Sequence, residues 1–104
     1  MPSIGCVNAA AEILGSKWSA QIIREFAAGP KHFCELERAL PRINPATLTK
    51  RLDDLRAADV ITQDSSEGHS PYRLTPKGQD LVPILENMAS WARKYPRDPS
   101  WNIA

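Results

Sequence analysis

Cysteine is scarce in this chain, with two among 104 residues, which excludes a disulfide-stapled scaffold. No apolar run is long enough to span a bilayer. The N-terminus lacks a basic segment leading into an apolar stretch, so no signal peptide is expected. These absences together predict a cytoplasmic protein with reduced thiols and no membrane partner. Net charge is small as well: 13 basic and 12 acidic side chains leave +1, and no global signal for nucleic acid. There is no Gly-rich phosphate loop, and no His stands beside a Cys or Ser with an orienting acid. Cys6, His32, Cys34 and His69 do not suggest a metal site, because His32-x-Cys34 is not a standard zinc spacing and the other two are remote. No metal, cofactor or enzymatic activity is expected. No repeat or low-complexity segment occurs. The length fits one domain that can bury a real core, yet is small enough for a dimer to add stability.

What is present is concentrated between Phe33 and Val60. Phe33, Leu36 and Leu40 share one helical stripe, and Pro41 stops that helix. A second helix follows a short turn. Asn44 suits its N-cap and Pro45 its first position, where the missing N–H costs nothing. Leu48, Leu52 and Leu55 recur at i, i+4 and i+7 and predict a core-facing stripe. Ala46, Thr47, Thr49, Lys50 and Asp53 then point the other way. Two helices, a tight turn and a polar outer face outline a helix-turn-helix. Small residues and hydroxyls at a helix start can enter a major groove, and Lys50 can reach guanine or phosphate. The same face is also compatible with plain solvation. Lys31, Arg38, Arg42, Lys50, Arg51 and Arg56 cluster around this unit, mixed with Glu35, Glu37, Asp53 and Asp54.

The flanking segments narrow the choice. Cys6 to Leu14 is apolar at helical spacing and ends at Gly15. Ser16 can cap the next helix, in which Trp18, Ile22 and Phe26 repeat every four residues and Trp18 is expected in the core; Gly29 and Pro30 close it. After the two-helix unit, Val60 to Gln63 predicts a strand, Asp64 to Ser70 a turn, and Pro71 to Thr75 a returning strand. A hairpin directly after a helix-turn-helix is a wing. Thr75-Pro76 starts a last helix that carries Leu81, Ile84, Leu85, Met88, Trp91, Ala92 and Tyr95, with Pro83 expected to kink it. Its stripe is too long for so small a core, so part of it is expected to meet a second copy, as paired half-sites require. The predicted fold is mainly α with a small β-hairpin. Residues 1–95 form the winged helix-turn-helix with its dimerisation helices, and residues 96–104 an extended tail.

Several short runs resemble one family. They are Leu14-Gly15-Ser16-Lys17-Trp18, then Ile22-Ile23-Arg24-Glu25, then Gly29-Pro30-Lys31-His32-Phe33 with Glu35-Leu36. Ala39-Leu40-Pro41, Ile43, Pro45, Thr47-Leu48-Thr49 and Arg51-Leu52 follow, then Tyr72-Arg73-Leu74-Thr75-Pro76 with Gly78, and finally Leu81, Pro83, Leu85 and Trp91. In this order they resemble the HxlR-type branch of the MarR-like winged-helix regulators over nearly all of Cys6 to Tyr95. The resemblance implies a bacterial, DNA-binding transcription regulator that acts as a homodimer on a palindromic operator. It implies that the helix from Pro45 enters the major groove, and Asn44, Ala46, Thr47, Thr49, Lys50 and Arg51 are the candidate DNA-binding residues on and beside that helix. The first and last helices would form the dimer interface, through Val7, Ala10, Leu14, Leu85, Met88, Trp91 and Tyr95. Many members carry a reactive N-terminal cysteine, which points to Cys6. The chain departs from the pattern at Ser16, Asn44, Ala46 and Lys50, so a base preference does not transfer. Asp64 and Glu67 stand where a phosphate-gripping wing would carry cations, leaving Arg73 and Lys77 as its phosphate contacts beside Lys31.

A helix N-terminus lowers a cysteine pKa, so Cys6 and Cys34 are both candidate redox sensors, and both could equally be small packed residues. Three function classes remain: a sequence-specific regulator of double-stranded DNA, a winged-helix protein-interaction module without DNA, and a cysteine-dependent redox enzyme. The last lacks a resolving C-x-x-C.

Overall fold

A computed structural model describes residues 4–65 and 70–95. The elements run α1 (Ile4–Leu14), α2 (Lys17–Phe26), α3 (Phe33–Ala39), α4 (Pro45–Ala57), β1 (Ile61–Gln63), β2 (Tyr72–Leu74), α5 (Pro76–Gln79) and α6 (Leu81–Lys94). The tail expected over 96–104 and most of the expected turn lie outside the described residues. The strands pair antiparallel, Ile61 opposite Leu74, Thr62 opposite Arg73 and Gln63 opposite Tyr72. The Lys31 backbone joins them: its amide donates to Tyr72 O at 2.9 Å, and the Tyr72 amide donates back at 2.8 Å. The order of elements is that of a winged helix-turn-helix.

Helix α2 is the hub, packed against α1, α3, α4, α6 and β2. Its Ile22, Ile23 and Phe26 are buried with Leu36, Leu40, Ile43, Leu48, Leu52, Leu55, Val60, Ile61, Leu74 and Leu85. Trp18, expected in the core, is only half-buried; it lies at the core's edge with the Lys17 ammonium 4.8 Å from its ring centroid.

The last helix is interrupted just before Pro83, as that proline predicts, though by a break and not a bend. A break at Asp80 divides it into α5 and α6. Pro83 therefore stands in the first turn of α6, where backbone N–H groups lack helical partners anyway, and it has no interior hydrogen bond to remove. Leu85 departs from expectation: it is 4% exposed and belongs to this chain's own core, not to an open dimer face.

The junction after α4 is built by backbone hydrogen bonds. The Val60 amide donates to Leu55 O at 2.9 Å and the Asp59 amide to Arg56 O at 2.9 Å, a Schellman closure with Asp59 at φ 62°. Thr75 Oγ1 donates to this junction, 2.5 Å from Asp59 O, and accepts from the Gly78 amide at 3.1 Å. Gly78 lies so close that a Cβ there would collide with the Val60 carbonyl oxygen, which is backbone and cannot move aside cheaply. Gly78→Ala should destabilise the fold by about 1–3 kcal/mol. A lowered urea midpoint at unchanged slope checks this, and an unchanged midpoint contradicts it.

Helix α3 begins with a titratable cap. The His32 amide donates to Glu35 Oε1 at 2.9 Å. That hydrogen bond, aided by the positive charge of Lys31 and Arg38, holds the Glu35 carboxyl below the ordinary value of 4.5. A lowered folded-state pKa adds stability that is present above the ordinary value and lost as pH falls through the lowered one. Glu35→Gln can keep the bond but cannot titrate. Its thermal midpoint should lie below wild type at pH 7, and the gap should close in acid; a gap that is constant with pH contradicts this role.

Candidate nucleic-acid interface

Helix α4 starts where its sequence says it should. Asn44 is extended, and its Oδ1 accepts the Thr47 amide at 2.8 Å, with Pro45 at the first helical position. Leu48, Leu52 and Leu55 are 0–3% exposed, so the opposite face is turned to solvent. Thirteen residues make α4 about 20 Å long, and its capped leading end is free of the body.

Ala46, Thr49, Lys50 and Asp53 are exposed on that face. Thr49 Oγ1 donates to Pro45 O at 3.0 Å, so its proton is engaged while its oxygen lone pairs and methyl remain presentable. Thr47, expected fully outward, is half-buried beside the cap. Lys50 Nζ lies 3.6 Å from Asp54 Oδ2, and Arg51 Nη1 lies 3.2 Å from the same oxygen. Arg51 Nε is shut off from solvent and has no hydrogen-bond partner, so this arginine can offer a ligand only its Nη groups.

The flanking cations separate into three situations. Lys31 is half-buried at the foot of the hairpin, held there by its backbone bridge to Tyr72. Arg73 is exposed, but its Nε lies 2.6 Å from Asp64 Oδ1. Lys77, expected to grip phosphate, donates its ammonium to Ala58 O at 2.8 Å. It closes the C-terminal end of α4, a full helix length from the leading end, where a cation complements the dipole. The Lys50–Asp54 and Arg51–Asp54 pairs were foreseeable from i,i+4 and i,i+3 spacing. The Asp64–Arg73 pair was not, because it depends on register. Thr62 opposite Arg73 puts Asp64 on the diagonal of the same face, within reach of a long side chain.

A second surface lies on the far side. Val7 of α1 is 64% exposed, and Ile84, Met88, Trp91 and Tyr95 of α6 are 44–59% exposed. Those four recur at helical spacing, and the Trp91 and Tyr95 rings meet in a tilted arrangement with 5.6 Å between centroids. Ala10 is exposed and Leu14 half-buried. Both thiols are exposed, Cys6 in the first turn of α1 and Cys34 in the first turn of α3. Among the described residues no three His, Cys, Asp or Glu side chains gather as a metal site.

The model of the HxlR-like helix-turn-helix family matches residues 13–99. The chain belongs to this family. Its HxlR-like relatives include YvaP of Bacillus subtilis, an uncharacterized HTH-type transcriptional regulator, 35% identical over 95 residues that cover 88% of this chain and 87% of YvaP. Among solved structures, the reduced form of the transcriptional regulator YodB from B. subtilis superposes with a TM-score of 0.80 at 28% identity, covering 91% of this chain and 95% of that one. The oxidized form of the redox regulator HypR superposes at 0.78 and 28% identity, covering 88% and 97%. The mostly helical fold with its two-stranded antiparallel hairpin matches these solved regulator structures.

Proposed function

We infer that this transcriptional regulator binds double-stranded DNA as a homodimer, with the leading end of α4 in the major groove. The observation that carries this is the outward α4 face, with Ala46, Thr49 and Lys50 exposed opposite three fully seated leucines. Lys50 offers base readout, while Arg51 and Lys31 serve the sugar-phosphate backbone. The apolar stripe of Ile84, Met88, Trp91 and Tyr95, together with Val7 of α1, is the face that meets the second copy. Two such subunits present two α4 helices to paired half-sites of a palindromic operator. The outward face favours this over a module that binds only protein, because α4 presents Lys50 beside the small exposed Ala46 and the hydroxyl of Thr49, as a groove-reading helix start does, while the α6 stripe is apolar. No helix among the described residues is long and apolar enough to cross a membrane.

Cys6 is the sensing residue in this reading. It is exposed in the first turn of α1, the element we place at the dimer interface. Modification there would alter how two α4 helices are spaced. YodB has been solved bound to a quinone, and HypR is a redox regulator, which supports the same kind of chemistry here.

Fluorescence anisotropy with duplexes tests the DNA reading. Affinity should fall steeply as salt rises, and the log–log slope counts the phosphates neutralised. Lys50→Ala should change the preferred sequence, whereas Arg51→Ala and Lys31→Ala should weaken all duplexes alike. Trp91→Asp should sediment as a monomer and lose retention. Indifference of duplex binding to all four variants contradicts the proposal. Alkylation of Cys6 should shift the operator-binding curve; an unaltered curve removes the sensor.

A further inference from the structure

Three cations of α4 and the hairpin, Lys50, Arg51 and Arg73, are already held by carboxylates of this same chain. Asp54 Oδ2 lies 3.6 Å from Lys50 Nζ and 3.2 Å from Arg51 Nη1, and Asp64 Oδ1 lies 2.6 Å from Arg73 Nε. The acids and cations of all three pairs are open to solvent to the extent of one third or more. Exposed pairs of this kind add little to folding, so stability does not account for them. They do alter what that surface offers a polyanion. Sequence-independent affinity for a duplex grows with the number of phosphates neutralised and counterions released. A carboxylate oxygen at hydrogen-bonding distance from a guanidinium occupies the place that a phosphate oxygen would take. A phosphate approaching Arg73 must displace Asp64 or sit beside its negative charge.

We propose that Asp54 and Asp64 are built-in phosphate surrogates that restrain sequence-independent DNA binding, so that the protein is retained only where base contacts of α4 add to those of the backbone. This rests on the DNA-binding reading above. Asp64 gives the sharper case. Its amide donates to Pro71 O at 3.3 Å, so the local backbone pairing does not depend on its carboxylate. Asparagine at this position keeps the shape and removes the charge.

The test uses the wild-type protein, D64N, R73Q, the D64N/R73Q double variant and D54N. Each is titrated with a mixed-sequence duplex lacking any inverted repeat, by anisotropy over a series of potassium chloride concentrations. D64N should bind several-fold tighter at low salt, with a slope steeper by about one phosphate. D54N should change in the same direction. The gain from D64N should vanish in the R73Q background, since the effect runs through that cation. A D64N gain of equal size with and without Arg73 would reflect mere removal of negative charge and would overturn the proposal. So would D64N and D54N curves that overlay wild type. Wild type that is retained on no duplex defeats the DNA-binding reading itself, whereas retained wild type with an unaltered D64N defeats this inference alone.

Discussion

The rotation of α4 about its own axis governs what the molecule can present, and Leu48, Leu52 and Leu55 set that rotation. Each is buried almost completely. Burying one leucine is worth roughly 2 kcal/mol, so turning α4 by one residue would forfeit several kcal/mol and drive Asp53 and Arg56, or Arg51 and Asp54, toward an apolar interior. The outward face is thus fixed by what the inward face must do. α2 supplies the other half of the seam through Ile22, Ile23 and Phe26, and by packing on α1, α3, α4, α6 and β2 it makes the orientation of α4 a property of the whole domain.

The two ends of α4 are treated differently. The leading end is finished by its own Asn44 and leaves Pro45 and Ala46 exposed. The trailing end is enclosed: the backbone of Asp59 and Val60 closes it, Thr75 bonds across it, Lys77 takes the Ala58 carbonyl, and Gly78 fits against Val60. A helix fastened at its C-terminal end and open at its N-terminal end can insert into a groove without loosening the body. The same fastening joins the wing to α4, because β1 begins directly after the Schellman turn.

The sequence was most legible where one residue decides a local matter. Asn44-Pro45, Thr75-Pro76 and Ser16 all start helices, and the three leucines face inward. Legibility failed where the outcome depends on what another element does. Leu85 and Met88 lie in one apolar pattern, yet Leu85 is buried in the core and Met88 is exposed, and which of them meets α2 depends on how the two helices pack. Pro83 signals an interruption but not its form: the helix breaks at Asp80, within the four residues before the proline, and resumes with Pro83 in the first turn of α6. Lys77 looked like a free wing cation, but the fold brings the Ala58 carbonyl to it. Trp18 has the spacing of a core residue and stands at the margin, because α3 and its turn leave that end of α2 partly open.

The most direct measurement is a backbone amide titration by NMR, with labelled protein and a duplex derived from its own operator. Insertion of α4 predicts the largest shifts at Ala46, Thr49 and Lys50, with α6 perturbed little. Shifts confined to α6 and α1, with the α4 amides unmoved at saturation, would contradict the claim that the leucine seam holds a DNA-reading face outward.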